Sequence, residues 1–202
     1  MGRIYLARHG RTAWNAEGRY LGHTDLPLDE QGMREARGLA ARLAKVRFAA
    51  AYCSDLQRVR QTADLILEAG GGGGRPIPDR RLREASFGSW EGMTYAGLAA
   101  LPEAAAWLLD PAGAAPPGGE SLAEVAARVS SFYQEAAAGL GGEEILVVTH
   151  GGPARIMICL ALGLDPSLQW RFKIDPGGLA VLDLHGRDAA LSGLYPGGTG
   201  SG

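Results

Sequence analysis

The sequence predicts an α/β fold, a three-layer α/β/α sandwich around a mainly parallel central sheet. Short apolar segments of strand type alternate along the chain with longer segments of helical periodicity, which is typical of α/β proteins. Several strand segments are continuous apolar runs, as expected of parallel strands that are buried on both faces. The chain has 202 residues, a length that fits one domain, and we expect that domain to span residues 1–195.

The first half of the chain contains two predicted strand–helix units. Its elements are a strand at residues 4–7, a polar loop at 10–27, a helix from 29 to about 46, a strand at 49–53 and a helix that ends near 69. Asp29 is the expected cap of the first helix, and Ser54 or Asp55 is the expected cap of the second. The glycine run at residues 70–74 is interpreted as a flexible surface loop.

The second half begins with an irregular stretch and ends with two predicted strands. Its elements are irregular backbone with weak strand signals at 76–91, two short helices within 93–109, a loop at 110–119, a helix from 121 to about 138, a strand at 145–149, a helix at 151–162, and strands at 179–184 and 189–194. Ser121 and Glu124 form a capping-box pattern, and Pro153 is placed at the tolerated first helical position. The Gly-rich tail at residues 196–202 is predicted to be disordered.

Charge and composition exclude several classes of protein. Lys and Arg number 20 and Asp and Glu number 22, which gives a formal net charge of −2. A general nucleic-acid binder normally carries a basic surface, so we expect no nucleic-acid partner. The N-terminus has no secretory pattern, and Arg155 interrupts the best candidate for a membrane span. We therefore expect a cytoplasmic protein without a membrane partner, in which Cys53 and Cys159 are buried apolar residues.

Polar residues follow the three clearest predicted strands. His9 comes directly after the first, Arg58 lies shortly after the second, and His150 comes directly after the strand at 145–149. The carboxyl ends of parallel strands lie at one edge of a sheet, and ligands of open α/β sheets bind there. We therefore expect these three side chains to converge on one site.

Arg8, His9 and Gly10 are the first of these groups. Successive strand residues face opposite sides, so Gly10 is expected to permit the sharp turn that brings both side chains to one site. Thr12 and Asn15 follow, and each could hydrogen-bond a bound oxyanion. The alternative is a surface arginine beside a histidine that caps the strand end.

Arg58 and His150 extend the pattern. Arg58 falls in the first turn of a helix, where it could lean over the strand ends toward an anion; the alternative is a solvated surface charge. His150 precedes Gly151 and Gly152, so an imidazole and free backbone N–H groups meet at one point. That combination suits a phosphate or a transferring phosphoryl group, whereas the alternative is a buried histidine satisfied by a backbone carbonyl.

Glu84 is the candidate proton donor. It has apolar neighbours in the sequence, and an apolar setting favours a protonated carboxyl near neutral pH. The alternative is a surface ion pair with Arg81 or Arg83. Glu91 is a second candidate, but its position between Trp90 and Gly92 suits a structural hydrogen-bonding role better.

Two histidines, one glutamate and two arginines allow two chemical interpretations. Zinc could use His9, His150 and Glu84 as ligands, but the arginines would repel a cation and the histidines lack a metal-ligand spacing. Phosphoryl transfer gives all five residues a role: one histidine attacks phosphorus, the arginines and the second histidine neutralise the equatorial oxygens, and the glutamate protonates the leaving oxygen. This interpretation requires no metal, and we expect no other cofactor.

Six motifs then identify a family. They are YLARHGRTAWN at residues 5–15, GHTDLPLDEQG at 22–32, CSDLQRVRQTA at 53–63, LREASFGSWEG at 82–92, PPGGES at 116–121 and VVTHGG at 147–152. In these motifs, their order and their spacing, the sequence resembles the histidine phosphatase superfamily, in its phosphoglycerate mutase-like branch, over nearly the whole chain to about residue 184. The resemblance implies a phosphoglycerate mutase-like fold and a single histidine phosphatase domain.

The resemblance also implies residue roles. His9 is expected to be the phosphorylated nucleophile and Glu84 the proton donor, with a phosphate pocket formed by Arg8, Arg58 and His150. The residues predicted to bind substrate around this pocket are Thr12, Asn15, Leu21, Gly22 and Gly151. Leu21 and Arg11 depart from the residues common in the family, and both are expected near the mouth of the site, where they bear on substrate choice.

The short segment between Gly92 and Ser121 bears on the reaction. It lacks room for the insertion that the longer mutase branch carries, and the short form is most similar to α-ribazole phosphatase-type and broad-specificity phosphatases. We therefore expect a phosphatase for a small-molecule phosphomonoester, with α-ribazole 5′-phosphate as one candidate. A cofactor-dependent phosphoglycerate mutase and a non-catalytic phospho-ligand-binding regulator are the alternatives. For the oligomeric state, the resemblance leans toward a homodimer.

Overall fold

The computed structural model describes residues 2–70, 74–186 and 188–197. These residues form a central six-stranded sheet with helices on both faces, which confirms the predicted sandwich. The strands are β1 (Gly2–Arg8), β2 (Ala50–Cys53), β3 (Ile77–Pro78), β4 (Glu144–Thr149), β5 (Leu179–His185) and β6 (Asp188–Tyr195). Across the sheet their order is β3-β2-β4-β1-β5-β6.

The sheet is mainly parallel, as predicted. Strands β3, β2, β4 and β1 run in the same direction. Strand β5 is antiparallel to β1, and it forms with β6 the antiparallel pair that the sequence predicted. Because β2, β4 and β1 are neighbours, their carboxyl ends lie side by side at one edge of the sheet.

Seven α-helices within the described residues connect or cover these strands. They are α1 (Ala13–Ala16), α2 (Glu30–Leu43), α3 (Gln57–Ala69), α4 (Tyr95–Ala99), α5 (Ala105–Leu109), α6 (Leu122–Ala138) and α7 (Gly151–Ala161). Asp29 caps α2 and the Ser121–Glu124 capping box opens α6, both as predicted. These caps satisfy backbone N–H groups that have no partner within the helix.

Side-chain alternation along the central strands builds two cores. In β4, Ile145 and Val147 pack on one face with α6 and α7, whereas Leu146 and Val148 pack on the other face with α2 and α3. Alternation with a period of two is intrinsic to a β-strand. Burial of both faces explains why β4 is a continuous apolar run rather than an alternating one.

Two local expectations are wrong, and a weak strand signal is confirmed. Leu56, not Ser54 or Asp55, occupies the N-cap of α3, and it makes no side-chain cap hydrogen bond. Pro153 is the third residue of α7 rather than the first. The N–H that proline lacks costs no hydrogen bond there, because N–H groups in the first turn have no acceptor within the helix. The irregular stretch at 76–91 includes strand β3, which pairs with β2 through Tyr52 and Cys53.

A small aromatic cluster covers one side of the edge at which the three strands end. Trp90, Leu98 and Ala104 form its buried centre, and Tyr20, Phe87 and Trp107 pack around them. The rings of Tyr20 and Trp107 meet edge to face at 5.5 Å between centroids. The two predicted short helices, α4 and α5, lie in this part of the chain.

The C-terminal tail, the glycine run and the β5–β6 turn are described in part. Pro196 and Gly197 are described, and a Cβ atom at Gly197 would overlap the carbonyl oxygen of Pro176. The rest of the predicted disordered tail, residues 198–202, lies outside the described residues, as do residues 71–73 of the glycine run and residue 187 of the turn. Both Cys53 and Cys159 are buried free thiols.

Candidate active site

The three strand ends converge as the sequence predicted. His9 follows β1 and His150 follows β4, and these strands pair in register through Arg8 and Thr149. The two imidazole rings lie 5.0 Å apart between centroids, at an interplanar angle of 70°. Arg58, the second residue of α3, reaches the same edge and is fully buried.

His9 is held in one tautomer. Its Nδ1 lies 2.6 Å from the carbonyl oxygen of Gly10, and a carbonyl can only accept, so Nδ1 carries the proton. The lone pair is therefore on Nε2. Burial, with the nearby guanidinium groups of Arg58 and Arg8, lowers the pKa of His9 well below its ordinary value, so that the imidazole stays neutral. A neutral ring with a free Nε2 is the form that can attack phosphorus.

The backbone around His9 is fixed on both sides. The His9 N–H donates to the carbonyl of Thr149 at 3.0 Å, and the His9 carbonyl accepts from the N–H of Gly177 at 3.0 Å. The φ of Gly10 is not positive, so the backbone there is not left-handed. A Cβ atom there would overlap the Gly32 carbonyl oxygen. Glycine is required for the close approach of α2, not for a left-handed turn.

Arg58 is a buried charge and not a solvated one. Its Nη1 donates to the carbonyl of Thr24 at 2.9 Å and its Nη2 donates to the carbonyl of Gly22 at 2.7 Å. Burial lowers the pKa of Arg58 to about 10, so the group is still cationic near neutral pH. Its Nε is buried and has no partner among the described residues.

Arg8 completes the cationic side of the site. Its Nη1 donates to the carbonyl of Ile174 at 2.7 Å, and its Nε is buried without a partner among the described residues. Burial lowers the pKa of Arg8, while the carboxylate of Glu84 works in the opposite direction. A Cβ atom at Gly151 would lie 3.2 Å from the Arg8 Cζ atom, so glycine leaves the guanidinium space against the start of α7.

His150 is bound by a hydroxyl group rather than by a backbone carbonyl. Its Nε2 lies 3.0 Å from Ser54 Oγ, and its Nδ1 is buried without a partner among the described residues. Burial and the nearby Arg58 lower the pKa of His150 well below its ordinary value. In this arrangement the positive charge therefore comes from the guanidinium groups, and His150 is a neutral ring.

Glu84 lies beside the start of α7. Its Oε1 accepts from the N–H of Ala85 at 3.0 Å and its Oε2 accepts from the N–H of Gly152 at 3.1 Å. The alternative ion pair is absent, because Arg81 pairs with Asp79 and Glu135. Arg83 likewise pairs with Asp55.

Glu91 has the structural role that the sequence favoured. It accepts hydrogen bonds from the N–H groups of His23 and Thr24, each at 2.7 Å. Burial works to raise the pKa of Glu91, but these hydrogen bonds, together with one from the Thr24 hydroxyl, outweigh it and lower the pKa. Glu91 thereby fixes the loop whose carbonyl groups bind Arg58.

The remaining predicted substrate-binding residues lie in the short helix and the loop that follow β1. Thr12 and Asn15 form the capping box of α1, in which the Thr12 hydroxyl donates to Asn15 Oδ1 at 3.0 Å. Leu21 is buried. Gly22 supplies a carbonyl to Arg58, and a Cβ atom there would overlap the carbonyl oxygen of Ala85.

Two further residues of the site were not predicted. Ser54 was assigned to a helix cap, but it is fully buried and orients His150. Arg128 of α6 donates to the carbonyl groups of Arg81, Arg83 and Glu84 at 2.8, 2.6 and 2.9 Å. The sequence signal for Ser54 was its position directly after a buried strand. The contacts of Arg128 have no such signal, because they depend only on the packing of α6 against residues 81–84.

Metal-ligating clusters and membrane-spanning helices are both absent from the described ranges. Residues 2–70, 74–186 and 188–197 contain no group of three His, Cys, Asp or Glu side chains placed to hold a metal ion. Within the same ranges, no helix combines the length and the apolar character that crossing a membrane requires.

The comparison with protein families agrees with the fold. Residues 4–195 match the model of the histidine phosphatase superfamily (branch 1). The chain belongs to this superfamily, as its motifs indicated, and the match covers all six strands in whole or in part.

Known relatives make the comparison more specific. An adenosylcobalamin/alpha-ribazole phosphatase of Salmonella typhimurium is 33% identical over 187 residues, which is 90% of each chain. Phosphoserine phosphatase 1 of Hydrogenobacter thermophilus is 34% identical over 189 residues, 93% of this chain and 89% of that one. Among solved structures, the alpha-ribazole phosphatase of Shigella flexneri superposes with a TM-score of 0.88 at 31% identity over 96% of each chain. These relatives agree with the phosphatase activity expected from the sequence.

Proposed function

We propose that this enzyme hydrolyses small-molecule phosphate monoesters through a phosphohistidine at His9, without a metal ion. The observation that carries the proposal is the set of buried nitrogen atoms without partners among the described residues: Nε of Arg8, Nε of Arg58 and Nδ1 of His150. Buried polar atoms are normally hydrogen-bonded. Three that converge beside a neutral imidazole are suited to the oxygens of a phosphoryl group.

The first step transfers the phosphoryl group to the enzyme. The lone pair of His9 Nε2 forms a bond to phosphorus, while the bond between phosphorus and the ester oxygen breaks. Glu84 gives a proton to the departing oxygen, so that the alcohol leaves neutral. Arg8 and Arg58 bind the equatorial oxygens and stabilise charge there, which is how a metal ion acts at other phosphoryl-transfer sites.

The second step returns the enzyme to its starting state. The carboxylate of Glu84 takes a proton from a water molecule as the water oxygen attacks phosphorus. The bond between phosphorus and Nε2 breaks, inorganic phosphate forms and the His9 lone pair is restored. The hydrogen bond from Nδ1 to the Gly10 carbonyl at 2.6 Å holds the ring in one orientation through both steps.

Trapping the intermediate tests this proposal. The enzyme is mixed with p-nitrophenyl phosphate in EDTA, quenched without acid and examined by peptide mass spectrometry. We expect one phosphoryl group on the peptide that contains His9, and turnover that survives chelation. His185→Ala, at an exposed histidine of β5, is the matched control and should be phosphorylated normally, whereas His9→Ala should not. Full turnover by His9→Ala, or a strict need for added metal, would contradict the proposal.

For the substrate we propose α-ribazole 5′-phosphate, which would place the enzyme in cobalamin biosynthesis. Support comes from the α-ribazole phosphatase relatives and from the aromatic side chains of Tyr20, Phe87 and Trp107, which line the same cavity as Glu84. Phosphoserine is the competing substrate, because one relative is a phosphoserine phosphatase. A phosphoglycerate mutase would instead isomerise its substrate and depend on bisphosphoglycerate, so product analysis with 3-phosphoglycerate separates it from a phosphatase.

We further propose that the enzyme acts in the cytoplasm on a free small molecule and has no nucleic-acid partner. The near-neutral net charge of −2 supports the second statement. A homodimer remains a prediction of the family resemblance, and light scattering of the purified enzyme would test it.

A further inference from the structure

A cavity of about 330 Å³ lies directly beside the proton donor. Its lining includes Glu84 and Gly152. Aromatic residues of the small cluster, among them Tyr20, Phe87 and Trp107, supply its aromatic wall. Arg155, Gln169 and Trp170 also line this cavity.

Arg155 is the unusual group in this cavity. Within the described residues, its guanidinium takes part in no ion pair, and its Nε is buried without a hydrogen-bond partner. Its Cζ atom lies 4.6 Å from the ring centroid of Trp170, over the ring face. Burying a polar group without a partner is costly. A guanidinium in this position is therefore typical of a group that donates a hydrogen bond to a bound ligand.

The position of Arg155 connects the cavity to the phosphate pocket. At Gly151, a Cβ atom would lie 3.3 Å from Nη1 of Arg155 and 3.2 Å from Cζ of Arg8. The two guanidinium groups are therefore neighbours across the start of α7, with Arg8 on the phosphate side. Gln169 adds a second buried polar atom without a partner among the described residues, its Oε1.

We propose that this cavity binds the alcohol part of the substrate and that Arg155 is a specificity-determining residue, which donates to an acceptor atom on it. The chemical class is an alcohol that combines a planar ring with oxygen or nitrogen acceptors, as a nucleoside-like group does. The ring packs against the aromatic wall, and Trp170 holds the guanidinium by contact with its face. The proposal rests on the proposed function, because Glu84 must face both the leaving oxygen and this cavity.

The alternative is a purely structural pair of Arg155 and Trp170. Trp170 is 63% exposed, so its contact with Arg155 does not seal a core. A structural pair would affect all substrates equally, whereas a specificity residue affects them according to the alcohol part. The two roles are therefore separable by comparing substrates.

The test compares two phosphomonoesters in wild type and in Arg155→Met. α-Ribazole 5′-phosphate carries a ring and acceptors, and benzyl phosphate carries a ring without them. We expect kcat/KM for α-ribazole 5′-phosphate, divided by kcat/KM for benzyl phosphate, to fall by roughly 10- to 100-fold in Arg155→Met. The reason is that only α-ribazole 5′-phosphate loses a hydrogen bond from a charged group. The loss should appear mainly in KM, since the alcohol part is bound equally before and during the reaction.

Arg37→Met on α2 is the matched control, because Arg37 is exposed and should leave the ratio unchanged. A second measurement uses free α-ribazole, which contains no phosphate, and calorimetry. Its dissociation constant should rise by roughly the same factor in Arg155→Met. An unchanged ratio and an unchanged dissociation constant would overturn the inference while leaving the phosphatase intact. Failure of wild type to hydrolyse any monoester would instead contradict the proposed function. The calorimetric result would still test whether the cavity binds α-ribazole through Arg155.

Discussion

The carboxylate of Glu84 accepts a hydrogen bond from the backbone N–H of Gly152 at 3.1 Å. Glu84 belongs to an irregular segment, whereas Gly152 is the second residue of α7, so this contact joins the proposed proton donor to the helix that begins after His150. A Cβ atom at Gly152 would overlap Oε1 of the same carboxylate. The position of Glu84 therefore depends on the absence of a side chain at residue 152.

The first prediction concerns Gly152→Ala. The added methyl group should displace the Glu84 carboxylate and lower kcat for alkyl phosphates by roughly 10-fold or more, because general acid catalysis requires hydrogen-bond geometry. The loss should be smaller with p-nitrophenyl phosphate, whose leaving group departs without a proton. The measurement is steady-state kinetics with both substrates.

Gly38→Ala is the matched control for this variant. Gly38 also lies in a helix, and a Cβ atom there would meet nothing within 4 Å. We expect normal kinetics and unchanged or slightly higher stability, since alanine is favoured over glycine in a helix. Equal losses with the two substrates in Gly152→Ala would show that the methyl group acts on something other than the proton donor.

The second prediction concerns Glu84→Gln. The amide keeps the shape of the side chain but cannot donate an acid proton, so the phosphorylation rate with an alkyl phosphate should fall roughly 10²–10⁴-fold. KM should change little, because the arginines bind the phosphate. The measurement is phosphorylation rate against leaving-group pKa. The control is Glu103→Gln, at an exposed carboxylate, which should behave like wild type. If the plots of phosphorylation rate against leaving-group pKa have the same slope for wild type and Glu84→Gln, another residue donates the proton.

The third prediction concerns the protonation state of His9. Because burial and the neighbouring guanidinium groups lower its pKa well below the ordinary value, the ring should remain neutral at about pH 6, just below the ordinary histidine pKa. Nitrogen-15 NMR of the imidazole signals should then show a protonated Nδ1 and an unprotonated Nε2, with the signals assigned by their loss in His9→Gln. Titration of His9 at about pH 6.5, the value of an ordinary histidine, would be incompatible with this arrangement.

The fourth prediction concerns stability against pH. His9 and His150 both have lowered pKa values in the folded protein, so below about pH 6.5 the unfolded chain binds protons that the folded chain excludes. The free energy of unfolding should therefore be fully retained above about pH 6.5 and fall below it. Each histidine contributes at most about 1.4 kcal/mol per pH unit to the slope of the free energy of unfolding against pH.

Urea denaturation across this range measures the effect. The double variant His9→Gln with His150→Gln should show a flatter profile between about pH 6.5 and about pH 5, since neither glutamine titrates. His185→Gln, at an exposed position, should retain the wild-type slope. A wild-type stability that is constant over this range would mean that the two histidines take up protons in the folded state.

Much of the fold was determined by local sequence features. The apolar run at 145–149 and the Ser121–Glu124 capping box predicted β4 and α6 closely, because strand burial and helix capping depend on residues near in sequence. The convergence of His9, Arg58 and His150 was also predictable from the sequence. It required only that their strands be parallel neighbours, and that is the usual outcome of alternating strands and helices.

Other features were decided by tertiary structure alone. The sequence assigned Ser54 to a helix cap, but the hydroxyl lies 3.0 Å from His150 Nε2, 96 residues away along the chain. Arg155 only interrupted an apolar run in the sequence, yet α7 carries it into a cavity against Trp170. Short-range sequence patterns determine the backbone conformation of each segment, because propensity, capping and periodicity are properties of neighbouring residues. Which buried polar side chains meet, and which are left without a partner, depends on the packing of segments far apart in the chain.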